Sequence, residues 1–320
     1  MTQVWLPEDF PGDLPDGMTA ETWNGREPLP ESADEVEVIV MPFGVEPDVL
    51  AKASALPKLK LIQLRSAGAE AYTPYVADHV TLCNARGAHD PGTSEWVAAA
   101  MLAHVRHFPE SAVAQHEGQW VRPPFGETLD GKRVLIVGYG SIGAAVEHRL
   151  AGWDVTVERV ARTARPARAG QPGNVGQPAS AGEPEVRGIS DLYDLLPAAD
   201  VVVLLVPVTD ETRGLAGARF LAAMRDGALL VNAARGPIVD TDALLAELNS
   251  GRLRAALDVT DPEPLPDGHP LWKAPGLLLT PHVGGYVEGG TERAHEMARA
   301  NLARYAAGEP LENVIGTRGY

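Results

Sequence analysis

Three polar residues in the second half of the chain each follow an apolar run by a few positions: Arg235, Glu263 and His282. Arg235 comes after Leu230-Val231-Asn232-Ala233-Ala234, Glu263 after Leu257-Asp258-Val259-Thr260-Asp261-Pro262, and His282 after Leu279-Thr280-Pro281. The planar fork of an arginine suits a carboxylate or a keto oxygen. A histidine can give a proton to a carbonyl oxygen during reduction and take it back during oxidation. A carboxylate hydrogen-bonded to that imidazole would fix its tautomer and favour its protonated form. Singly, each has a plainer reading. Arg235 could pair with an acid at a helix start, Glu263 could be a loop carboxylate, and His282 could cap a strand end. Together, at successive strand ends of one nucleotide-binding sheet, they describe a hydride-transfer site.

The element that must position them is Val134-Leu135-Ile136-Val137-Gly138-Tyr139-Gly140-Ser141-Ile142-Gly143. Four apolar residues read as a buried strand, the glycines follow in G-x-G-x-x-G spacing, and Ala144 to Leu150 reads as a helix. Strand, glycine turn and helix in that order are the context of a dinucleotide fingerprint. Gly138 lets the chain turn tightly, Gly140 presents no side chain to a pyrophosphate, and Gly143 lets the helix approach the sheet. The N–H groups at the helix start then face the phosphates.

Strands are expected at Val4–Leu6, Val36–Val40, Leu59–Leu64 and Val80–Asn84, with a short helix from Asp48. These form a small parallel α/β sheet. Ser94 to Phe108 reads as one Ala-rich helix, capped by Thr93 or Ser94. From Val134 to Thr280 six strands alternate mostly with helices, as in a doubly wound sheet, where ligands bind beyond the carboxyl ends of the strands. The stretch from Thr163 to Gly188, full of Ala, Gly, Pro and Gln, reads as a flexible surface loop.

Composition sets the outer bounds. A chain of 320 residues has room for two domains, and 45% apolar with 22% charged residues is a globular balance. A net charge of −16 argues against binding nucleic acid or an anionic membrane through bulk charge. Cys83 is the only cysteine, so no intrachain disulfide forms and the cytoplasm is the expected compartment. The first residues carry no signal-peptide pattern, no apolar run approaches a membrane span, and no metal site is expected.

The sequence resembles the D-isomer-specific 2-hydroxyacid dehydrogenases. The matching runs are Val137–Gly143, Val206–Gly214, Val231–Asp240, Leu257–Pro266 and Leu279–Gly285. The resemblance implies a Rossmann-type nucleotide domain (residues 99–286) inserted into a flavodoxin-like substrate domain (1–98 and 287–320), with the active site in the cleft. It implies the catalytic roles above for Arg235, Glu263 and His282. It puts Asn232 and Asp258 by the nicotinamide end and counts Ala233, Ala234, Arg235, His282 and Gly284 among the cofactor-binding residues. Gly138, Tyr139, Gly140, Ser141, Ile142 and Gly143 would lie by the pyrophosphate, and Val206, Pro207 and Thr212 by the ribose and adenine. The backbone of Ala67-Gly68-Ala69 would bind the substrate carboxylate with Arg235, and Phe43 would project from a neighbouring loop. Met101 and the helix around it would lie at a homodimer interface.

Two departures from the family pattern bear on function. NAD-preferring domains carry an acid at the end of the second strand. Counting from Gly152 puts that position on Arg159, with Glu158 before it and Arg162 three residues after. Basic residues there would suit a 2′-phosphate, which favours NADP(H); NAD(H), with Glu158 on the ribose, is the alternative. Residues 84–95 depart from the usual Asn-x-Pro-Gly turn, so that Arg86 and His89 could line the cleft. The leading expectation is an NAD(P)-dependent enzyme that interconverts a small 2-oxo acid and its D-2-hydroxy acid, of the glyoxylate/hydroxypyruvate reductase type. The alternatives are a nucleotide-sensing, corepressor-like protein on the same scaffold, or a phosphite-type small-anion dehydrogenase.

Overall fold

A computed structural model describes residues 1–123, 125–168 and 184–316. In chain order its elements are β1 (Thr2–Leu6), β2 (Met18–Thr22), β3 (Val36–Val40), α1 (Pro47–Ser54), β4 (Leu61–Gln63), β5 (Thr81–Cys83), α2 (Asp90–Val105) and α3 (Phe108–His116). They continue with β6 (Arg133–Val137), α4 (Ser141–Leu150), β7 (Thr156–Ala161), β8 (Arg187–Gly188), α5 (Leu192–Leu195), β9 (Val201–Leu204), α6 (Ala218–Ala223) and β10 (Leu229–Asn232). The last are α7 (Thr241–Asn249), β11 (Arg254–Leu257), β12 (Leu277–Leu279), α8 (Gly290–Ala307) and β13 (Val314–Ile315). The chain divides into two compact units, Met1–Asp90 with Tyr286–Tyr320, and Pro91–Gly285.

The first unit is built on a sheet in the order β13-β5-β4-β3-β1-β2, parallel except for β13. Its five parallel strands run 2-1-3-4-5, the flavodoxin-like order, which reverses between β1 and β3. The central strands are short and mostly apolar on both sides, as a sheet covered on both faces requires. On one face Trp5, Ile39, Ile62 and Leu64 pack with Leu50 and Ala53 of α1. On the other, Val4, Val38, Val40 and Leu61 pack with Ala298 and Leu302 of α8. The edge strand β2, Met-Thr-Ala-Glu-Thr, was not legible in a stretch dominated by Pro, Gly and acid. It is held by parallel pairing to β1 in register Thr2↔Met18 to Leu6↔Thr22 rather than by an apolar pattern.

The second unit carries a seven-stranded parallel sheet in the order β12-β11-β10-β9-β6-β7-β8. This is the Rossmann order, reversing between β6 and β9. The seventh strand, beyond the six expected, is the two-residue β8, too short to leave a period in sequence. Leu135, Val137, Val202, Leu204 and Leu230 face Phe220, Leu221, Leu244 and Leu248 of α6 and α7. Val134, Ile136, Val203 and Val231 face Val97, Met101, Val146 and Leu150 of α2 and α4. Met101, expected at an interface between copies, is therefore completely buried in this unit's own core.

α2 starts at Asp90, before the expected cap at Thr93 or Ser94, because Asp90-Pro91 supplies an acid and a preset φ for a first turn. It ends at Val105, and His107 in the left-handed region (φ 55°) separates it from α3, so the single expected helix is two. Most of the loop expected at 163–188 lies outside the described residues; at its ends Arg165 and Val186 form an antiparallel bridge. No helix among the described residues is long and apolar enough to cross a membrane.

Candidate active site

Three neighbouring strands of the second sheet, β10, β11 and β12, deliver Arg235, Glu263 and His282 beyond their carboxyl ends. Asn232 closes β10 and is fully buried. Its side-chain oxygen accepts from the Ala234 N–H at 3.1 Å and its Nδ2 donates to the Arg235 carbonyl at 2.9 Å, so one side chain clasps the turn that presents Arg235. Arg235 is extended, and its Nη1 donates to the Ala234 carbonyl at 2.7 Å. The next residue, Gly236, lies flat against the loop after β11. A Cβ there would stand 1.8 Å from the Thr260 carbonyl oxygen. The arginine turn and the Glu263 loop are thus in backbone contact.

His282 adopts φ 55°, a conformation that non-glycine residues rarely occupy. The cause is Asp258, a buried carboxylate that the sequence reading assigned to the nicotinamide end. It accepts from Thr280 Oγ1 at 2.6 Å and from the Val283 and Gly284 N–H groups at 2.9 and 2.8 Å, while its carbonyl accepts from the His282 N–H at 2.7 Å. The turn is wound around one aspartate. Gly284 is required there, since a Cβ would approach Asp258 Oδ2 to 2.8 Å. His282 Nδ1 meets Glu263 Oε1 at 2.6 Å, with both side chains nearly half exposed. With the Nδ1 proton donated to the carboxylate, Nε2 is left as the nitrogen that takes or gives a proton.

At the other end of the site, β6 runs into the glycine turn. Gly138 has φ 104°, and a Cβ on it would lie 2.5 Å from the Leu205 carbonyl carbon. A Cβ on Gly143 would crowd Ile136 Cγ2 and the Gly138 oxygen, each at 3.2 Å. Gly140 occupies the cap position of α4 and makes no side-chain cap. A glycine cradle leading into an uncapped helix start, at the point where strand order reverses, fits the pyrophosphate of a dinucleotide. Beyond β9, Thr212 Oγ1 donates to the Pro207 carbonyl at 2.6 Å and accepts from the Thr209 N–H at 2.8 Å, so the Val206–Thr212 loop is closed on itself.

The charged residues near the turn fall differently from the count along the sequence. The Gly138 and Tyr139 N–H groups both donate to the Val160 carbonyl, so the strand reaches the glycine turn at Val160 and Ala161, not at Arg159. Arg159 instead points to α4. Its Nε donates to Glu147 Oε2 at 2.7 Å, its Nη2 pairs with Glu147 Oε1, and Tyr139 Oη donates to the same carboxylate at 2.6 Å. Burial pushes the Glu147 carboxyl up, but the Arg159 and Tyr139 hydrogen bonds outweigh it and leave it below the usual range. Burial, helped by Glu147, pushes the Tyr139 phenol up to about 12. Glu158, on the opposite face of β7, lies 3.9 Å from both Arg133 and Arg187. Arg162 and Arg165 follow the strand. Arg165 Nη2 donates to the Tyr139 carbonyl at 2.7 Å. The Thr209 hydroxyl first, and the Arg162 charge in addition, hold the Glu211 carboxyl below its usual range.

A family model of the D-isomer specific 2-hydroxyacid dehydrogenase NAD binding domain matches residues 98–284, more than half of the chain. The chain belongs to this family. It is an NAD(P)-dependent D-2-hydroxyacid dehydrogenase. It is 34% identical over 271 residues to a glyoxylate reductase of Thermofilum pendens, covering 80% of this chain and 74% of that protein. It is also 34% identical over 275 residues to a glyoxylate/hydroxypyruvate reductase B of Citrobacter koseri, covering 82% and 76%. Among solved structures, a D-isomer specific 2-hydroxyacid dehydrogenase of Xanthobacter autotrophicus Py2, in complex with NADPH and MES, superposes with a TM-score of 0.79 at 29% identity, covering 99% of this chain and 98% of that one.

In the first unit of the dehydrogenase, Ala67-Gly68-Ala69 follows β4. Its carbonyls are engaged locally: Asn84 Nδ2 donates to Ala67 at 2.6 Å, Ser66 Oγ to Gly68 at 2.8 Å and Thr73 Oγ1 to Ala69 at 2.9 Å. Phe43 is half exposed and its ring lies 4.3 Å from the guanidinium carbon of Arg65. The Arg86 N–H donates to Asn84 Oδ1 at 3.2 Å. Arg65, Glu147 and Arg165 belong to none of the motifs visible in the sequence. Arg65 and Arg165 each follow a strand closely, the same signal that singled out Arg235. Glu147 had no signal beyond its place on the helix.

Proposed function

We propose that this dehydrogenase reversibly reduces a small 2-oxo acid to its D-2-hydroxy acid, with glyoxylate and hydroxypyruvate as favoured substrates. The observation that carries this reading is the 2.6 Å contact between His282 and Glu263 beyond β11 and β12, beside the arginine turn of β10. In reduction, protonated His282 donates a proton from Nε2 to the carbonyl oxygen, and the Glu263 carboxylate stabilises the imidazolium beforehand. Arg235 holds the keto acid by its guanidinium fork and polarises the carbonyl. Ala67-Gly68-Ala69 holds the substrate carboxylate and Phe43 bounds the pocket. The nicotinamide, when bound, supplies or accepts the hydride. The names of the two relatives at 34% identity favour the same substrates.

NADP(H) is the favoured cofactor. Arg159, bound to Glu147, is not the residue that would meet a 2′-phosphate. Arg162 and Arg165, just past the end of β7 and beside the glycine turn, carry that role, and Ala161 stands where an NAD-preferring domain carries an acid. The remaining cofactor contacts come from Gly138–Gly143, Val206, Pro207, Thr212, Asn232–Arg235, Asp258, His282 and Gly284. A homodimer is favoured by exposed apolar residues on and after α3, namely Phe108, Val113, Trp120, Val121 and Phe125. A single buried thiol, Cys83, suits a reducing compartment such as the cytoplasm.

The test is steady-state oxidation of NADPH and NADH, side by side, with glyoxylate, hydroxypyruvate and pyruvate. Turnover with the first two acids and a lower KM for NADPH is the expected result. Binding of both cofactors with no reduction of any of the three acids would overturn the substrate assignment, and a lower KM for NADH would overturn the cofactor assignment.

A further inference from the structure

Arg65 is the most buried arginine side chain engaged in the first unit's ion pairs, with 3% of it exposed, against 57% for its partner Asp9. It follows β4, and its guanidinium reaches across the place where the order of the parallel strands reverses. Nε donates to the Met41 carbonyl just beyond β3 at 3.0 Å. Nη1 lies 2.8 and 2.9 Å from the two carboxylate oxygens of Asp9, just beyond β1, and 2.9 Å from His295 Nε2 on α8. Phe43 covers one face. Nη2 makes no hydrogen bond in the structure. Among the described residues Arg293 Nη2 is the buried side-chain nitrogen without a partner, so Arg65 Nη2 keeps access to solvent and is free to donate its two N–H groups to a bound ligand. Open α/β sheets bind ligands at this reversal point, beyond the carboxyl ends of the strands.

The charge around Nη2 indicates what it would accept. Asp9 neutralises the guanidinium, and burial followed by the Arg65 charge holds the His295 imidazole below its usual range, so that it stays uncharged at neutral pH. A cluster whose charge is already compensated, with one donor nitrogen spare, suits a neutral hydroxyl or carbonyl oxygen better than a second carboxylate or a phosphate. We propose that Arg65 is a specificity residue that donates, through Nη2, to a hydroxyl on the carbon beyond the keto group, and so favours 3-hydroxy-2-oxo acids over the bare 2-oxo acid. This rests on the proposal that the first unit binds the substrate.

The experiment compares hydroxypyruvate with glyoxylate, which lacks the hydroxyl. Arg65→Met should lower kcat/KM for hydroxypyruvate by roughly 10- to 100-fold, the range of one hydrogen bond to a charged donor, and change that for glyoxylate less than threefold. Equal losses for both acids, or no loss, would overturn the assignment. Asp9→Asn, at an exposed position that tolerates change, guards against misfolding of the first variant. It leaves the Arg65 charge uncompensated and should raise kcat/KM for oxaloacetate relative to hydroxypyruvate by about tenfold; an unchanged ratio would count against the proposal. Titration calorimetry of D-glycerate and glycolate needs no turnover and so separates this proposal from the function on which it rests. The wild-type preference for glycerate should vanish in Arg65→Met, and its survival would refute the role of Arg65 even in an enzyme inactive toward both oxo acids.

Discussion

Gly236→Ala is the smallest change that tests how the arginine turn and the Glu263 loop are held together. The added Cβ would fall 1.8 Å from the Thr260 oxygen, 2.1 Å from its carbonyl carbon and 2.7 Å from the Asp261 nitrogen. Carbon and oxygen need roughly 3.3 Å, somewhat less than the carbon–carbon optimum, so the Thr260–Asp261 peptide must retreat by about 1.5 Å. It cannot retreat freely, since Thr260 is buried, its hydroxyl donates to the Pro262 carbonyl at 2.8 Å, and Thr241 Oγ1 holds the Asp261 carbonyl at 3.1 Å. Strain of this kind costs about 1–3 kcal/mol, or roughly 2–12 °C of Tm in a unit of this size. Glu263 lies two residues on, and its 2.6 Å contact with His282 does not survive a shift of that size. A misplacement of about 1 Å near reacting groups costs on the order of 100-fold in rate. Thermal unfolding by circular dichroism and kcat/KM with glyoxylate read the two effects. A Tm within 1 °C of wild type would refute the steric argument, and a lowered Tm with kcat/KM within about twofold would refute the coupling of this contact to the catalytic pair.

Asp258→Asn should loosen the turn that carries His282 and lower kcat by about 10- to 100-fold with a smaller change in cofactor Kd; equal changes in both would make Asp258 a cofactor contact only. Replacing Arg162 and Arg165 together with Gln should raise the Kd for NADPH at least tenfold and that for NADH less than threefold, whereas Arg159→Met should weaken both to a similar degree by releasing Glu147; NADPH-selective loss in Arg159→Met would reverse the assignment. Burial holds the His104 imidazole below its usual value of 6.5. The folded state therefore binds its proton less readily than the unfolded state, and stability present above about pH 6.5 is lost as pH falls. His104→Gln should flatten the fall in Tm between about pH 7 and pH 5, and an unchanged slope would clear His104 of that role. Trp120→Ser with Phe125→Ser should shift sedimentation toward the monomer if these exposed rings bury against a second copy; an unaltered assembly would place the interface elsewhere.

The parts of this protein that sequence discloses are those fixed by local rules. The glycine turn is legible because φ and close approach demand glycine at Gly138 and Gly143, and the strands are legible because sheets covered on both faces need unbroken apolar runs. Arg235, Glu263 and His282 stood out because each interrupts such a pattern at a strand end. What escaped depends on registers that sequence spacing does not fix. Arg159 was placed by counting residues, yet strand pairing brings Val160 to the glycine turn and turns Arg159 toward Glu147 on a helix 12 residues away. Asp258 was recognisable as a site residue, but its three hydrogen bonds to the 280–284 turn join segments more than 20 residues apart. Arg65 was hidden because Asp9 and His295 are 56 and 230 residues away from it in sequence.

The bare start of α4 carries a consequence for how the protein ages and is degraded. With glycine at the cap the helix gives up roughly a few tenths of a kcal/mol that Ser, Thr, Asp or Asn at Gly140 would have supplied. Any anion seated on that turn makes up the deficit, so helix order there rises with ligand occupancy. Amide hydrogens in the first turn would then exchange with solvent more slowly as dinucleotide concentration rises, and a protease that needs the glycine segment to open would find fewer open molecules. Cells depleted of the dinucleotide would clear this polypeptide faster than cells replete with it.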